Sequence, residues 1–218
     1  ESLMNKKFFI PVSLLFAIIL IVSAIFVLLI KPSHNLECGG NKIAGGNSVI
    51  GGNFTLTNAN KNQLLSRSRI NSRELITEPS LIYFGYSYCP DVCPFDLQRN
   101  ATAVDILHNA KKEITPIFIT IDPERDTIDR LREFSAFVHP KLIPLTGSIK
   151  DVKKVMKLFK VYGKKSNEEG FDEDNYLMDH SAFTYLVSSS NEFVDYFSRK
   201  VSAEEMAERI SCYFDQIN

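Results

Sequence analysis

The stretch Leu81-Ile82-Tyr83-Phe84-Gly85-Tyr86-Ser87-Tyr88-Cys89-Pro90-Asp91-Val92-Cys93-Pro94 reads as a buried strand, a turn carrying two thiols, and the start of a helix. Leu81–Phe84 is apolar without alternation, the pattern of a strand covered on both faces. Pro94 suits the first helical position, where its missing N–H has no helical partner. That places Cys93 at or next to a helix N-terminus, where unpaired amides and the helix dipole stabilise a thiolate. Pro90 stiffens the loop by fixing its φ angle. Asp91 would raise the pKa of neighbouring thiols, so its expected place is the rim, facing solvent or a partner.

Downstream, helices and strands alternate. Pro94–Ala110 is predicted as a helix with Leu97, Ala101, Val104 and Leu107 on one face. Ile114–Ile121 reads as a second buried strand. Thr127–Val138 reads as a helix carrying Leu131, Phe134 and Val138, with Asp126 as its expected cap. Leu142–Leu145 is a short strand, and Ser148 with Asp151 opens a helix whose apolar stripe is Val152, Val155, Met156 and Phe159. Ala182–Val187 and Glu192–Phe197 form a hairpin across Ser188–Asn191. Ser202 and Glu205 make a capping box for a last helix with Met206, Ile210 and Phe214 inward. This order predicts an α/β fold, a central mixed sheet flanked by helices. A thioredoxin-like layout fits, with its site where the first buried strand turns into a helix.

The 218-residue chain has a net charge of −1, without the basic excess of a nucleic-acid binder. Phe8 to Ile30 is uncharged and bracketed by Lys6-Lys7 and Lys31. At about 1.5 Å per residue this run crosses the roughly 30 Å hydrocarbon core of a bilayer. A cleaved signal peptide has a shorter apolar core and a small-residue cleavage site, and neither fits here. The expected organisation is a cytoplasmic segment at 1–7, a transmembrane anchor at 8–30, a flexible Gly/Asn-rich tether at 31–52 and one domain at 53–218. Lys6 and Lys7 favour a cytoplasmic N-terminus, leaving the domain in an oxidising, periplasm-like space. Four cysteines are too few for a disulfide framework. Cys38 reads as a tether thiol without a role, and Cys212 as a small apolar filler in the last helix.

Two cysteines with three residues between them converge on one soft metal ion or close into a small disulfide. The usual redox pair has two intervening residues; the third leaves room for an ion and tilts the reading toward metal. Iron–sulfur clusters generally want four cysteines and structural zinc four ligands, whereas two sulfurs with one imidazole suit copper. His34 lies in the tether, His108 near the end of the first helix and His139 before Pro140. All three read as solvated or locally bonded side chains. His180, in Asp179-His180-Ser181 after a long polar loop, reads either as an ordinary loop histidine or as a third ligand. Asp122–Thr127 reads as a strand-to-helix turn in which Pro123 fixes the backbone, Arg125 pairs with a carboxylate and Asp126 caps. A place for Asp122 beside the cysteine loop is the alternative. The acidic stretch Glu168, Glu169, Asp172, Glu173 and Asp174 reads as a solvated loop.

Four motifs resemble those of the SCO/SenC family, in the same order: Tyr83 to Pro94, Phe118-Ile119-Thr120-Ile121-Asp122-Pro123-Glu124-Arg125-Asp126-Thr127, Leu145-Thr146-Gly147, and Tyr176-Leu177-Met178-Asp179-His180-Ser181. The resemblance covers about Gly51 to Phe214. It departs at the polar segment Asn58–Arg69, which leaves the shape of an N-terminal hairpin open. It implies a membrane-tethered, thioredoxin-like copper metallochaperone holding Cu(I) or Cu(II) on Cys89, Cys93 and His180. The implied partners are copper-donor proteins and the copper-acceptor subunit of cytochrome c oxidase. The implied location is the bacterial inner membrane with the domain periplasmic, or alternatively the mitochondrial inner membrane. The competing expectation is a thiol–disulfide oxidoreductase with Cys89 and Cys93 as its redox pair, reducing the acceptor's cysteines.

Overall fold

In the computed structural model the strand that carries the cysteine loop, β3 (Ser80–Gly85), is buried at every position. It runs parallel to β4 (Thr115–Thr120) on one side and antiparallel to β8 (Thr184–Val187) on the other. The structure describes Cys38 and residues 49–60, 68–166 and 175–217. The expected anchor at 8–30, most of the tether, His34 and the acidic stretch at 168–174 lie outside these residues. Among the described residues no helix is long and apolar enough to cross a membrane.

Seven strands form one mixed sheet in the order β2 (Arg69–Asn71), β1 (Thr55–Asn58), β5 (Ile143–Thr146), β4, β3, β8, β9 (Phe193–Phe197). Only β3, β4 and β5 are mutually parallel, and the other neighbours are antiparallel. A one-turn helix, α1 (Ser72–Leu75), follows β2. The longer helices are α2 (Val92–Asn109), α3 (Ile128–Val138), α4 (Ile149–Leu158) and α5 (Ala203–Ile217). The mixed sheet with flanking helices matches the expected architecture, and β1 with β2 forms the N-terminal hairpin that the sequence left open.

Alternation along β3 sorts the core. Leu81 and its partner Leu186 pack with Val104 and Leu107 of α2 and with Met206 and Ile210 of α5. Ile82, Phe84 and Tyr185 face a second cluster with Val152 and Val155 of α4. Phe84, Phe159 and Tyr185 form a triangle with ring centroids 5.3–5.9 Å apart. Such pairs add about 0.5–1.5 kcal/mol each beyond area burial. Both faces of β3 are therefore pinned, which fixes the direction in which the loop after Gly85 leaves the sheet.

Helix starts follow the sequence in two cases. Ser148 Oγ accepts from Asp151 N–H and Ser202 Oγ from Glu205 N–H, both at 3.1 Å. Two expectations change. The helix after the cysteine loop begins at Val92, so Cys93 is its second residue and Pro94 its third. Proline still fits, because the third N–H also lacks an intrahelical acceptor. Thr127, not Asp126, caps α3, its side chain accepting from Arg130 N–H. Asp126 is buried and serves the cysteine loop instead.

The reading of Cys38 and Cys212 is corrected. The two form a disulfide with Cα atoms 5.6 Å apart, bridging 174 residues. Spacing along the chain carries no pairing signal at such a separation, so the sequence concealed it. Closing a loop of that length contributes about 5 kcal/mol in the chain-entropy account. Cys212→Ser is expected to lower the unfolding free energy by about 3–5 kcal/mol. In urea melts a dithiol reductant reproduces this loss in the wild type and adds nothing in the variant.

Candidate metal centre

Beyond Gly85 the chain turns through Tyr86, Ser87 and Tyr88 to Cys89, and helix α2 then carries Cys93 back beneath the loop. Cys89 is half-buried and Cys93 has 0% exposure. Gly85 makes the close approach feasible: a Cβ there would lie 2.9 Å from Cys93 Sγ and 3.0 Å from Tyr83 Cε1. The Cys93 N–H donates to Cys89 Sγ at 3.3 Å.

His180 arrives by an element that the sequence did not reveal. A two-stranded antiparallel ribbon, β6 (Gly163–Lys165) and β7 (Met178–His180), sets Gly163 opposite His180. A Cβ at Gly163 would lie 2.6 Å from Met156 Cε, the far end of a flexible side chain that would have to move aside. Met178 N–H donates to the Tyr86 hydroxyl at 3.2 Å, tying β7 to the start of the cysteine loop. His180 Nε2 then lies 3.5 Å from Cys93 Sγ, and the donor atoms of Cys89, Cys93 and His180 are all within 4.8 Å of one another. No other group of three or more such ligands occurs among the described residues. His108 instead pairs with Glu113 at 2.7 Å and His139 with Asp105 at 3.3 Å, the local bonding expected of them.

The imidazole turns its Nε2 toward the thiols. Its Nδ1 lies 3.0 Å from the Ser181 carbonyl oxygen, which only accepts, so Nδ1 carries the proton and Nε2 is bare in the neutral ring. Tyr83 and Tyr86 stand edge-on to it at 6.4 and 5.9 Å. Bonds of about 2.0–2.3 Å in a trigonal plane put donor atoms roughly 3.5–4 Å apart, so this triad fits one soft metal ion.

Buried polar groups hold the loop. Asp126 accepts from Ser87 N–H at 3.1 Å, from Ser87 Oγ at 2.6 Å and from the Thr120 hydroxyl. Arg130 donates to Ser87 Oγ and to its carbonyl. Burial pushes the Asp126 carboxyl up from its ordinary value. Asp122 accepts from Arg125 Nε at 2.7 Å and from the Tyr176 hydroxyl at 2.8 Å. Arg125 in turn lies over the rings of Tyr176, Tyr88 and Tyr86 at 3.5, 5.0 and 5.8 Å. The turn reading of Asp122–Thr127 thus holds for Arg125, but the run also braces the rim of the site. Asp91 is exposed on that rim, as expected. Nothing in the sequence marked this role for Asp126, whose place before a helix reads as that of a cap.

The two thiols divide in character. Hydrogen bonding from Cys93 lowers the Cys89 pKa to about 3 against the opposing effect of burial, helped by the N–H groups of Cys93 and Asp91. The Cys93 pKa is pushed up, first by its bond to Cys89 and then by burial. Because folding lowers the Cys89 pKa, its thiolate adds stability that is complete above the ordinary thiol pKa and lost as pH falls through about 3. Alkylation of Cys89 in the metal-free protein is therefore expected to proceed at a nearly constant rate from pH 8 down to about 4. Peptide mass mapping checks this; a tenfold fall per pH unit below 8, as for an ordinary thiol, would contradict it.

The fold is thioredoxin-like, and it brings two thiols and an imidazole together where the central strand β3 turns into α2. Residues 43–215 match the SCO1/SenC family model. The chain belongs to the SCO1/SenC family. It is 40% identical over 148 residues to Protein SenC of Rhodobacter capsulatus, covering 68% of this chain and 66% of that one. It is 44% identical over 138 residues to an SCO2-like protein of Rickettsia prowazekii, covering 63% of this chain and 67% of that one. Among solved structures, ScoI of Arabidopsis thaliana with copper bound superposes with a TM-score of 0.69 at 34% identity, covering 77% of this chain and 99% of that one. Yeast Sco1 with copper bound gives 0.68 at 31% identity, covering 77% and 89%.

Proposed function

We propose that this chain is a copper metallochaperone that holds copper on Cys89, Cys93 and His180 and assists assembly of the copper centre of cytochrome c oxidase. The observation that carries the reading is the convergence of two sulfurs and a bare imidazole nitrogen within 4.8 Å. The copper-bound relatives in Arabidopsis and yeast support the choice of metal. Three ligands leave one flank open, through which an acceptor's sulfur enters. Cys89, the half-exposed ligand, is the first to be displaced, and buried Cys93 the last. The copper-acceptor subunit of the oxidase and a copper donor are the partners in this reading. The apolar run at 8–30 anchors the domain to the inner membrane, on its periplasmic side.

One observation favours a second role beside the first. Cys89 combines partial exposure with a depressed pKa, while Cys93 is fully covered. That is the division of labour of an attacking and a resolving thiol. The Cys89 thiolate attacks an acceptor disulfide, releasing one acceptor thiolate and forming a mixed disulfide. Cys93, losing its proton, then displaces the second acceptor thiol and closes the Cys89–Cys93 bond, so the acceptor gains the two electrons the pair loses.

The two roles separate at His180. His180→Ala is expected to weaken copper binding by more than about 100-fold, since losing even a supporting partner of a ligand costs 10–100-fold. Disulfide exchange at Cys89 should stay within a few-fold of wild type. Competition titration with a copper chelator reads the first and exchange with a model disulfide the second. Unchanged copper affinity would overturn the three-ligand reading.

A further inference from the structure

Residues 149–165 hold seven lysines and one aspartate, a charge of +6 in a chain whose total is −1. The whole-chain total hides this concentration. On α4 the lysines fall at Lys150, Lys153, Lys154 and Lys157, the spacing of one helix face. Val152, Val155 and Met156 lie on the opposite side, buried in the core, and the four lysines are exposed. Asp151 pairs with Arg69 at 3.1 Å and Lys165 with Glu124 at 3.4 Å, while Lys164 stands opposite Asp179 in the β6–β7 ladder. Among the described residues no carboxylate lies within ion-pair distance of the four α4 lysines or of Lys160. Like charges three and four residues apart cost a helix stability, so the face is kept at local expense. An opposing acidic surface would relieve it.

The face adjoins the metal centre. α4 leads through Phe159 and Tyr162 straight into β6, whose Gly163 stands opposite His180. Between α4, the ribbon and the turn at Asp122 lies a cleft of about 440 Å³, lined by Ile149, Lys153, Met156, Lys165 and Met178, the last two residues before His180. Ile149 is 46% exposed and Tyr162 57%, so an apolar side chain bounds the basic face at each end. Charges around apolar anchors are the make-up of a protein interface. A plane of lipid headgroups would meet the lysines and leave the cleft unfilled. The chain also enters the domain elsewhere: Cys38 is bonded to Cys212 on α5, and α5 packs on the opposite face of the sheet from α4.

We propose that the lysine face of α4 is the docking surface for a protein partner that carries carboxylates beside its own thiol site, and that it brings this partner in on the His180 side of the centre. The proposal deepens the reading of Cys89 as the thiol open to a partner and rests on it. A field of this sign raises the encounter rate with an acidic partner by about ten- to a thousandfold and turns basic ones away. The lysines thus select the partner, and the three ligands do the exchange.

Disulfide exchange at Cys89 in the metal-free full chain, held in detergent, tests this. The probe is a peptide whose single cysteine is disulfide-bonded to thionitrobenzoate and followed by a tail of about ten residues, reaching roughly 35 Å when extended. Attack by the Cys89 thiolate joins the peptide sulfur to Cys89 and releases the coloured thionitrobenzoate thiolate. One peptide ends in a run of glutamates and the other has serines in their place. At low salt the glutamate peptide is expected to react about tenfold faster, and the ratio to fall below about twofold in roughly 0.5 M salt. Lys153→Glu with Lys157→Glu is expected to make the serine peptide the faster one. The same reversal at Lys111 and Lys200, exposed at the ends of α2 and α5, should leave the ratio above about threefold. Where neither peptide reacts, the thiol reading fails instead, and carbodiimide coupling of a cysteine-free glutamate peptide reads the face by itself. Amide bonds at the α4 lysines are then expected at more than about fivefold the yield at Lys111 and Lys200. Acetylation of the α4 lysines is expected to be equal in phosphatidylcholine discs and in discs containing anionic phosphatidylglycerol. A wild-type ratio within about twofold of unity at low salt, a ratio that survives Lys153→Glu with Lys157→Glu, or coupling spread evenly over exposed lysines overturns the proposal. So does protection of the α4 lysines by the anionic discs, which would give the face to lipid.

Discussion

The site depends on holding one imidazole against a thiol 87 residues earlier in the chain, with Nε2 3.5 Å from Cys93 Sγ. Neither side chain can be moved alone. Cys93 is wedged beneath Gly85 by the start of α2. His180 is set by the β6–β7 ribbon, which Met178 fastens to Tyr86. Tyr86 thus belongs to both halves, following β3 in the chain and accepting the hydrogen bond that seats the histidine strand.

Around this contact the protein arranges a gradient from rigid to accessible. The sheet side is dry and aromatic, with Phe84 locked among Phe159 and Tyr185. The middle layer is polar and buried: Asp126 grips Ser87, and Tyr83 reaches Asp96. The rim carries Arg125 stacked on three tyrosines and the half-exposed Cys89. A carrier that releases its cargo by ligand exchange needs such an order, with one ligand exposed to an incoming partner and another held until last. The same order serves an attacking and a resolving thiol, which is why the two proposed roles can share one site.

Much of this was legible in the sequence. The unbroken apolar run at Leu81–Phe84, the alternation of strands and helices and the caps at Ser148 and Ser202 all correspond to observed elements, because each depends on local pattern. The pairing of Cys89, Cys93 and His180 followed from family resemblance more than from spacing. What escaped was set by contacts between distant residues. The β6–β7 ribbon has three residues a side, half of them exposed, and so shows no periodicity. Asp126 looked like a cap because its position before a helix allowed one, while Thr127 next to it took that role. Cys38 and Cys212 gave no hint of one another across 174 residues.

X-ray absorption at the copper edge of the metal-loaded full chain tests the central claim most directly. Two sulfurs and one imidazole nitrogen bound to a single copper ion are the predicted shell, with the imidazole signal lost in His180→Ala. A shell of nitrogen and oxygen alone, or of two sulfurs with no imidazole in the wild type, would contradict it.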